Sequence, residues 1–447
     1  MIDFPAFIDN LTIEKVVNKG FGLAHYQNFT VFVEYALPGD IVKVEVSHKK
    51  KNSLFARIVH YYSHSTLNKV SNCSVNGVCG GCDWVNIAYD EQLSLKNQII
   101  EDIYTPLKEI IKAQPVVASP KIYHYRNKAF LPLTLKNGKP VYGIFARSSH
   151  QVITHEKCFI QPEIFNQIAD EFLIYLEKAK AEIYNEIDES GNFRHIGIRI
   201  SETTGEILLI IVSKKRKLPF TQLLVKNLLE KFPQIVGIIQ NVQPDKTNII
   251  LGDDDKILFG RDFLWEKLDN LSFKVHYKAF FQVNHSQTLN IYHKIKNLSG
   301  SNKNILDAFS GTGSIGIFCA SQHNNVTFIE SNKDAHLNAV ENAELNNLKN
   351  CSFYNAEVET ILPEIMGKHP LDLIIFDPPR KGIEESALKL ISELKIPEII
   401  YMSCNPSTQV RDLKILTSFG YKISELHTYD MFPHTWHVES LAHLIFQ

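Results

Sequence analysis

The chain has 447 residues, 44% hydrophobic and 21% charged, with a formal net charge of −2. That length exceeds one ordinary core and calls for two or three domains, and the composition excludes a disordered chain. The near-zero charge offers no global attraction to a polyanion, so any phosphate contact must come from a local basic face.

The start, Met1-Ile2-Asp3-Phe4-Pro5, lacks a basic, signal-type apolar stretch. No run reaches the ~18 apolar residues of a membrane span. A cytoplasmic protein with no membrane partner is expected. In that reducing setting the seven cysteines are no disulfide framework and need another explanation.

Residues 12–17, 29–34, 41–47 and 54–61 read as short strands broken by Gly20, Gly22 and Pro38-Gly39-Asp40. Strands of this length and spacing fit a small antiparallel, OB-like barrel. Its basic loop, Lys49-Lys50-Lys51, joins the last two strands where such a barrel can touch a phosphate backbone. Taken alone, that run and a second, Lys214-Lys215-Arg216-Lys217, each read more simply as a solvated turn.

Next come a cysteine-bearing loop, Cys73 to Cys82, and a helix from 89 to about 112. Residues 120–265 alternate strands with helices at 162–178 and 220–231, with Lys136-Asn137-Gly138-Lys139-Pro140 marking a hairpin. From about 285 the pattern becomes strand, glycine loop, helix, strand, helix, the signature of a doubly wound parallel sheet. The expected division is a barrel at 1–65, a mixed α+β central domain at 66–275 and a Rossmann-like α/β domain at 276–447.

In that last part the strand 304–309 enters Ser310-Gly311-Thr312-Gly313-Ser314-Ile315-Gly316, a loop that lets backbone amides approach a ligand at a helix start. The following strand ends in Glu330, a carboxylate suited to ribose hydroxyls. A third apolar strand ends in Asp377-Pro378-Pro379-Arg380. The loop has Gly-x-Gly, not the full Gly-x-Gly-x-x-Gly of NAD folds, and together these parts resemble a class I S-adenosylmethionine (SAM) methyltransferase.

Two further motifs narrow the chemistry. Ile399-Ile400-Tyr401-Met402-Ser403-Cys404-Asn405-Pro406 carries a thiol past a buried strand, where α/β sheets place their chemistry. Met431-Phe432-Pro433-His434-Thr435-Trp436-His437-Val438-Glu439 carries a carboxylate. Amino-directed methyltransferases need no thiol. Carbon methylation of uracil does: C5 becomes nucleophilic only after a thiolate adds to C6, and a base must then remove the C5 proton so the thiolate can leave. A strand-end or helix-start setting favours an ionised thiol.

On these motifs the whole chain resembles the RNA uracil-5-methyltransferases. The resemblance implies Cys404 as nucleophile and Glu439 as base. It places Gln287, in Phe281-Gln282-Val283-Asn284-His285-Ser286-Gln287, at SAM, with Asn284 as a helper. Phe309, Ser314, Glu330, Glu357 and Asp377 fall at or beside its other SAM positions. Ser310 stands where the family usually has cysteine, and Ser314 where it has asparagine or threonine.

Cys73, Cys79 and Cys82 form C-x5-C-x2-C, with Cys158 farther on. Four thiolates suit zinc or an iron–sulfur cluster. A single C-x2-C pair argues against zinc, and Cys79-Gly80-Gly81-Cys82-Asp83-Trp84 resembles the [4Fe–4S] site of the family's ribosomal branch, in a structural or RNA-positioning role. Cys319 and Cys351 are expected in the core.

A uracil must leave its stack to react, so the substrate is single-stranded or flipped RNA. Phe280, Phe281, Phe432 and Trp436 are candidate stacking rings. With a TRAM-like barrel and a cluster, the resemblance implies a monomer acting on 23S ribosomal RNA. The alternatives are a transfer RNA uridine, a nitrogen-directed methyltransferase using Asp377-Pro378-Pro379, and an RNA-binding assembly factor without catalysis.

Overall fold

The computed structural model describes residues 4–447. Six strands, β1 (Phe7–Thr12), β2 (Lys15–Val17), β3 (Phe21–Tyr26), β4 (Phe29–Val33), β5 (Ile41–Lys50) and β6 (Ser53–Ser63), pair in the order β1-β5-β6-β4-β3-β2. Alternation along β5 turns Val42, Val44 and Val46 into a core shared with Ile8, Val31 and Leu54. The sequence reading missed β3 because Gly22 looked like a turn. Gly22 is a strand residue kept small by packing, since a Cβ there would meet Ala36 at 2.7 Å. Lys49 and Lys50 end β5, leaving Lys51, at φ 54°, in the turn.

Helix α1 (Tyr89–Tyr104) is shorter than expected: it passes into a 3-10 turn at Thr105–Leu107, where Pro106 cannot continue the hydrogen-bond ladder. Its Ile100 and Tyr104 pack in the core of the C-terminal sheet, so this helix ties the middle of the chain to the end.

Strands β7 (Lys128–Lys136) and β8 (Lys139–Tyr142) form the expected hairpin, followed by the two-residue strands β9 (Ile144–Phe145) and β10 (Val152–Ile153). After α2 (Glu163–Lys178) come β11 (Phe193–Ile200), β12 (Ile207–Ser213), α3 (Thr221–Lys231), β13 (Ile235–Val242) and β14 (Asp254–Gly260). The sheet order is β14-β13-β12-β11-β7-β8, and α2 and α3 cover one face through Phe165, Phe172, Leu224 and Leu228. A hairpin of β15 (Phe263–Leu268) and β16 (Leu271–His276) leads onward.

The last part runs α4 (His285–Ser299), β17 (Asn304–Ala308), α5 (Ser314–Ala320), β18 (Asn325–Ile329), α6 (Lys333–Leu345), β19 (Cys351–Tyr354) and α7 (Val358–Lys368). It continues with β20 (Leu373–Phe376), α8 (Glu385–Glu393), β21 (Glu398–Ser403), α9 (Pro406–Ser418), β22 (Tyr421–Tyr429) and β23 (Glu439–Phe446). Sheet order is β19-β18-β17-β20-β21-β23-β22. Successive residues of the central strands feed opposite cores: Leu306, Ile374 and Phe376 one, Ile305, Leu373 and Ile375 the other. Burial on both faces explains the near-continuous apolar runs. The sheet departs from the expected all-parallel pattern at β23, which is antiparallel to both β21 and β22. No helix among the described residues is long and apolar enough to cross a membrane.

Candidate active site

The glycine loop, the Asp377 loop, Cys404 and Glu439 converge on one cavity of about 480 Å³, which Phe280, Phe432 and His437 also line. It opens at the carboxyl ends of β17, β20 and β21, where a doubly wound sheet leaves its ligand crevice.

Phe309 follows β17 with φ 64°, a left-handed turn that swings the chain into Gly311 and Gly313, both also at positive φ. Glu330, just past β18, accepts the Gly311 amide at 2.8 Å and the Asn332 amide at 2.7 Å. Asp307 accepts the Gly316 amide at 2.8 Å, and burial pushes its carboxyl up to about 8. Burial also lifts Asp377 to about 7. The Tyr292 hydroxyl reaches Ser314 Oγ at 2.8 Å.

Cys404 stands between β21 and the first turn of α9, where Pro406 opens the helix. Burial, then the Glu439 and Asp377 carboxylates, push the thiol up to about 11, against the Arg380 guanidinium, which pulls it down. The ionisation expected of a helix-start thiol is therefore opposed by its surroundings. Glu439 is 2% exposed and its Oε1 has no hydrogen-bond partner. Burial first, then Asp377, hold its carboxyl well above the usual range. A buried, unsatisfied carboxyl beside a thiol is a costly arrangement for a merely structural site. It suits a nucleophile and a proton acceptor on one substrate.

Of the expected positions, Phe309, Ser314, Asp377, Cys404 and Glu439 line the cavity. Glu330 stands behind it, on the glycine loop. Gln287 and Glu357 do not line it. Gln287 lies on the buried face of α4, donating Nε2 to the Val117 carbonyl at 2.9 Å and accepting from Asn290. Glu357 is the residue before α7. Asn284 caps α4 and donates to the Met431 carbonyl at 3.0 Å. Phe280, 69% exposed, remains open for stacking, whereas Phe281 is core and Trp436 packs against Gly20. Asp307, Tyr292, Arg380 and His437 were missed. Arg380 adjoins the Asp-Pro-Pro motif and His437 stands in the motif that ends in Glu439, so both were legible there, while Asp307 and Tyr292 carry no sequence signal.

Cys73, Cys79, Cys82 and Cys158 line a second, smaller cavity with His155 and Ile144. Gly80 donates to the Phe145 carbonyl at 3.0 Å, and a Cβ on Gly80 would meet that oxygen at 2.6 Å. Gly81 donates to Cys79 Sγ at 3.3 Å. Among the described residues, no group of three or more such side chains stands at metal-binding positions. The donor chemistry, four thiols around one cavity, nonetheless fits a thiolate-held metal or cluster. Cys319 is core, as expected, and Cys351 is half-buried against it. The second basic run is spent within the protein: Lys214 Nζ donates to the Glu189 carbonyl and Arg216 pairs with Asp254.

Comparison with known proteins agrees with this geometry. Residues 88–446 match the model of the tRNA (uracil-5-)-methyltransferase family, and residues 10–59 match the TRAM domain. An uncharacterized RNA methyltransferase of Bacillus cereus is 34% identical over 441 residues, covering 98% of this chain and 96% of the relative. One of Clostridium tetani is 35% identical over 437 residues, covering 97% and 95%. The structure of Pyrococcus abyssi tRNA (uracil-54, C5)-methyltransferase with S-adenosyl-L-homocysteine superposes with TM-score 0.79 at 27% identity, covering 97% of this chain and all of that one. The chain belongs to the tRNA (uracil-5-)-methyltransferase family and is a SAM-dependent RNA uracil-5-methyltransferase.

Proposed function

We propose that this enzyme methylates C5 of a specific uridine in 23S ribosomal RNA, with Cys404 as nucleophile and Glu439 as base. The observation that carries the mechanism is the thiol and the unpartnered buried carboxyl lining one cavity with the glycine loop. Cys404 Sγ bonds to C6 of the flipped uracil, and the ring's electron pair moves to make C5 nucleophilic. Bound SAM supplies an electrophilic methyl group there. Glu439 then takes the C5 proton, the C5–C6 double bond re-forms and the Cys404 thiolate leaves. Asp377, Phe309 and Ser314 would line the SAM end of the cavity, with Glu330 fixing the Gly311 amide behind it. Phe280 offers an exposed ring for a neighbouring base.

Cys73, Cys79, Cys82 and Cys158 would hold a [4Fe–4S] cluster, which supplies thiolate cross-linking of the central loop and no electrons to the transfer. The 23S assignment rests on the resemblance of Cys79-Gly80-Gly81-Cys82-Asp83-Trp84 to the ribosomal branch. A transfer RNA substrate is the second reading, favoured by the Pyrococcus abyssi neighbour, whose substrate is tRNA.

Nucleoside mass spectrometry tests the proposal after incubation of enzyme and SAM with ribosomal and transfer RNA lacking 5-methyluridine. New 5-methyluridine in 23S RNA supports it. Product confined to transfer RNA replaces the substrate, and product in neither, from wild-type enzyme with its thiol site loaded, overturns the catalytic reading.

A further inference from the structure

The segment between β22 and β23 has no regular structure, yet each carbonyl from Met431 to His434 is taken by a donor outside the C-terminal sheet. Met431 O accepts Asn284 Nδ2 at 3.0 Å, Phe432 O accepts Lys96 Nζ at 3.1 Å, and Pro433 O accepts the Tyr125 hydroxyl at 3.1 Å. His434 O accepts two amides of the cysteine loop, Asp83 at 2.9 Å and Trp84 at 3.0 Å. Phe432 and His437 of this segment line the catalytic cavity, and Glu439 follows two residues after His437.

Asp83, one residue after Cys82, is the node. Its Oδ2 accepts the Trp436 amide at 3.3 Å and its Oδ1 accepts Arg147 Nη1 at 3.0 Å. Arg147 also donates to the Lys19 carbonyl of the barrel and lies over the Phe21 ring. The same barrel turn meets the nucleophile's helix, where Asn18 Nδ2 donates to Ser407 Oγ at 2.7 Å. The catalytic segment is thus held from outside its own sheet, by α1, the cap of α4 and Tyr125 at Met431 to Pro433 and by the cysteine loop at His434 and Trp436.

We propose that Asp83 is a positioning residue that transmits the shape of the cysteine loop to the segment bearing Phe432, His437 and Glu439. The thiol site thereby sets the turnover rate and leaves substrate affinity unchanged. The inference rests on the reading of Cys404 and Glu439 as the reacting pair. A bonded set of thiols holds Gly80 to Trp84 in place, and the two amides and the Asp83 carboxylate hold His434 and Trp436 in turn. A slack loop leaves the uracil and Glu439 misaligned, and misplacement by about 1 Å costs on the order of 10²-fold in rate.

The experiment uses the loaded enzyme as wild type, Asp83→Ala, Asp83→Asn, Tyr125→Phe and Cys82→Ser, with kcat and KM measured for RNA and SAM. Amide hydrogen exchange across residues 430–439 is measured alongside. Asp83→Ala is expected to lower kcat about 10²-fold with both KM values held within about twofold. Asp83→Asn keeps an oxygen for the Trp436 amide and should recover most of that loss. Faster exchange at Thr435 and Trp436 is expected in Asp83→Ala and also in Cys82→Ser. Should Asp83→Ala not fold, Tyr125→Phe and Cys82→Ser decide, each expected to lower kcat with unchanged KM. Unchanged kcat in all folded variants, a rise in RNA KM alone, or unaltered exchange in Cys82→Ser would overturn the coupling. An inactive wild type would instead refute the reading of the reacting pair.

Discussion

Ser403 and Ser440 are partners across the antiparallel ladder that joins β21 to β23, and Ser440 Oγ donates to the Ser403 carbonyl at 3.1 Å. Antiparallel register runs in opposite directions on the two strands, so the next positions outward are Cys404, just past the end of β21, and Glu439, the first residue of β23. Both line the same cavity. Here the reversal of β23 has a chemical consequence. A parallel strand would begin at the far edge of the sheet, whereas the reversed one begins at the carboxyl edge, with its first residue beside the thiol.

Separate roles for the two groups predict separate failures. Cys404→Ala is expected to abolish product and leave no covalent RNA complex. Glu439→Gln should still form the bond to C6 but be unable to take the C5 proton, lowering turnover by about 10²–10⁴-fold. The check is a denaturing gel of Glu439→Gln with SAM and ordinary uridine RNA, where a slow-migrating enzyme–RNA band should accumulate. A Glu439→Gln enzyme with normal turnover and no such band would remove the carboxyl from the mechanism.

The raised thiol makes the reaction alkaline-favoured. The reactive form is the thiolate, and with Cys404 at about 11 its fraction grows about tenfold for each pH unit below that value. Glu439 also sits above its ordinary range and must be ionised to accept a proton. Adduct formation on 5-fluorouridine RNA needs only the thiolate and should rise from acid through neutral pH into the alkaline range. Turnover on ordinary uridine RNA, which needs both groups, should rise in the same direction. Arg380→Ala removes the cation that pulls the thiol down and should move the profile to higher pH. A flat profile measured by stopped trapping would contradict this assignment.

Much of this site was legible because its chemistry is written in short contiguous motifs. Ser310 to Gly316, Asp377-Pro378-Pro379 and Ser403-Cys404-Asn405-Pro406 each sit at a strand end, and a doubly wound sheet brings strand ends together. The reversal of β23 was not legible, since an apolar strand reads the same in either direction. Gln287 shows a feature that the motif does not carry, since its amide Nε2 is donated to the Val117 carbonyl. Asp307 and Tyr292 acquire their places only through tertiary packing. The clamp on residues 431–434 was equally silent, because four of its donors (the Asp83 and Trp84 amides, Lys96 and Tyr125) lie more than 300 residues away in the chain.

Close packing under the glycine loop gives a further expectation. A Cβ on Gly316 would stand 2.3 Å from the Phe328 ring and 2.7 Å from Asp307 Oδ2. Gly316→Ala must therefore displace the ring or break the Asp307 bond, at a cost of about 1–3 kcal/mol for overpacking. Calorimetric titration with S-adenosylhomocysteine should find weaker binding, because Phe309 to Ser314 are anchored through this turn. Unaltered stability and affinity would mean that the loop relaxes freely.

Lys96 and Asp430 form an ion pair at 2.5 Å with both side chains 0% exposed. Lys96 Nζ also donates to the Phe432 carbonyl, and Asp430 Oδ2 accepts the Tyr89 hydroxyl at 2.9 Å. Burial pushes the lysine ammonium down while Asp430 pulls it up, so the pair is held by mutual compensation. Removing one partner strands the other in a dry site, and single losses of this kind cost about 3–5 kcal/mol. Lys96→Met should lower the free energy of urea unfolding by an amount in that range, as should Asp430→Leu. The double variant Lys96→Met/Asp430→Leu should recover a large part of the loss, since neither charge is then left unpaired. Its activity should stay low even so, because the Phe432 carbonyl has still lost the Lys96 donor. A double variant as unstable as the sum of the two single ones would show that the sites act independently.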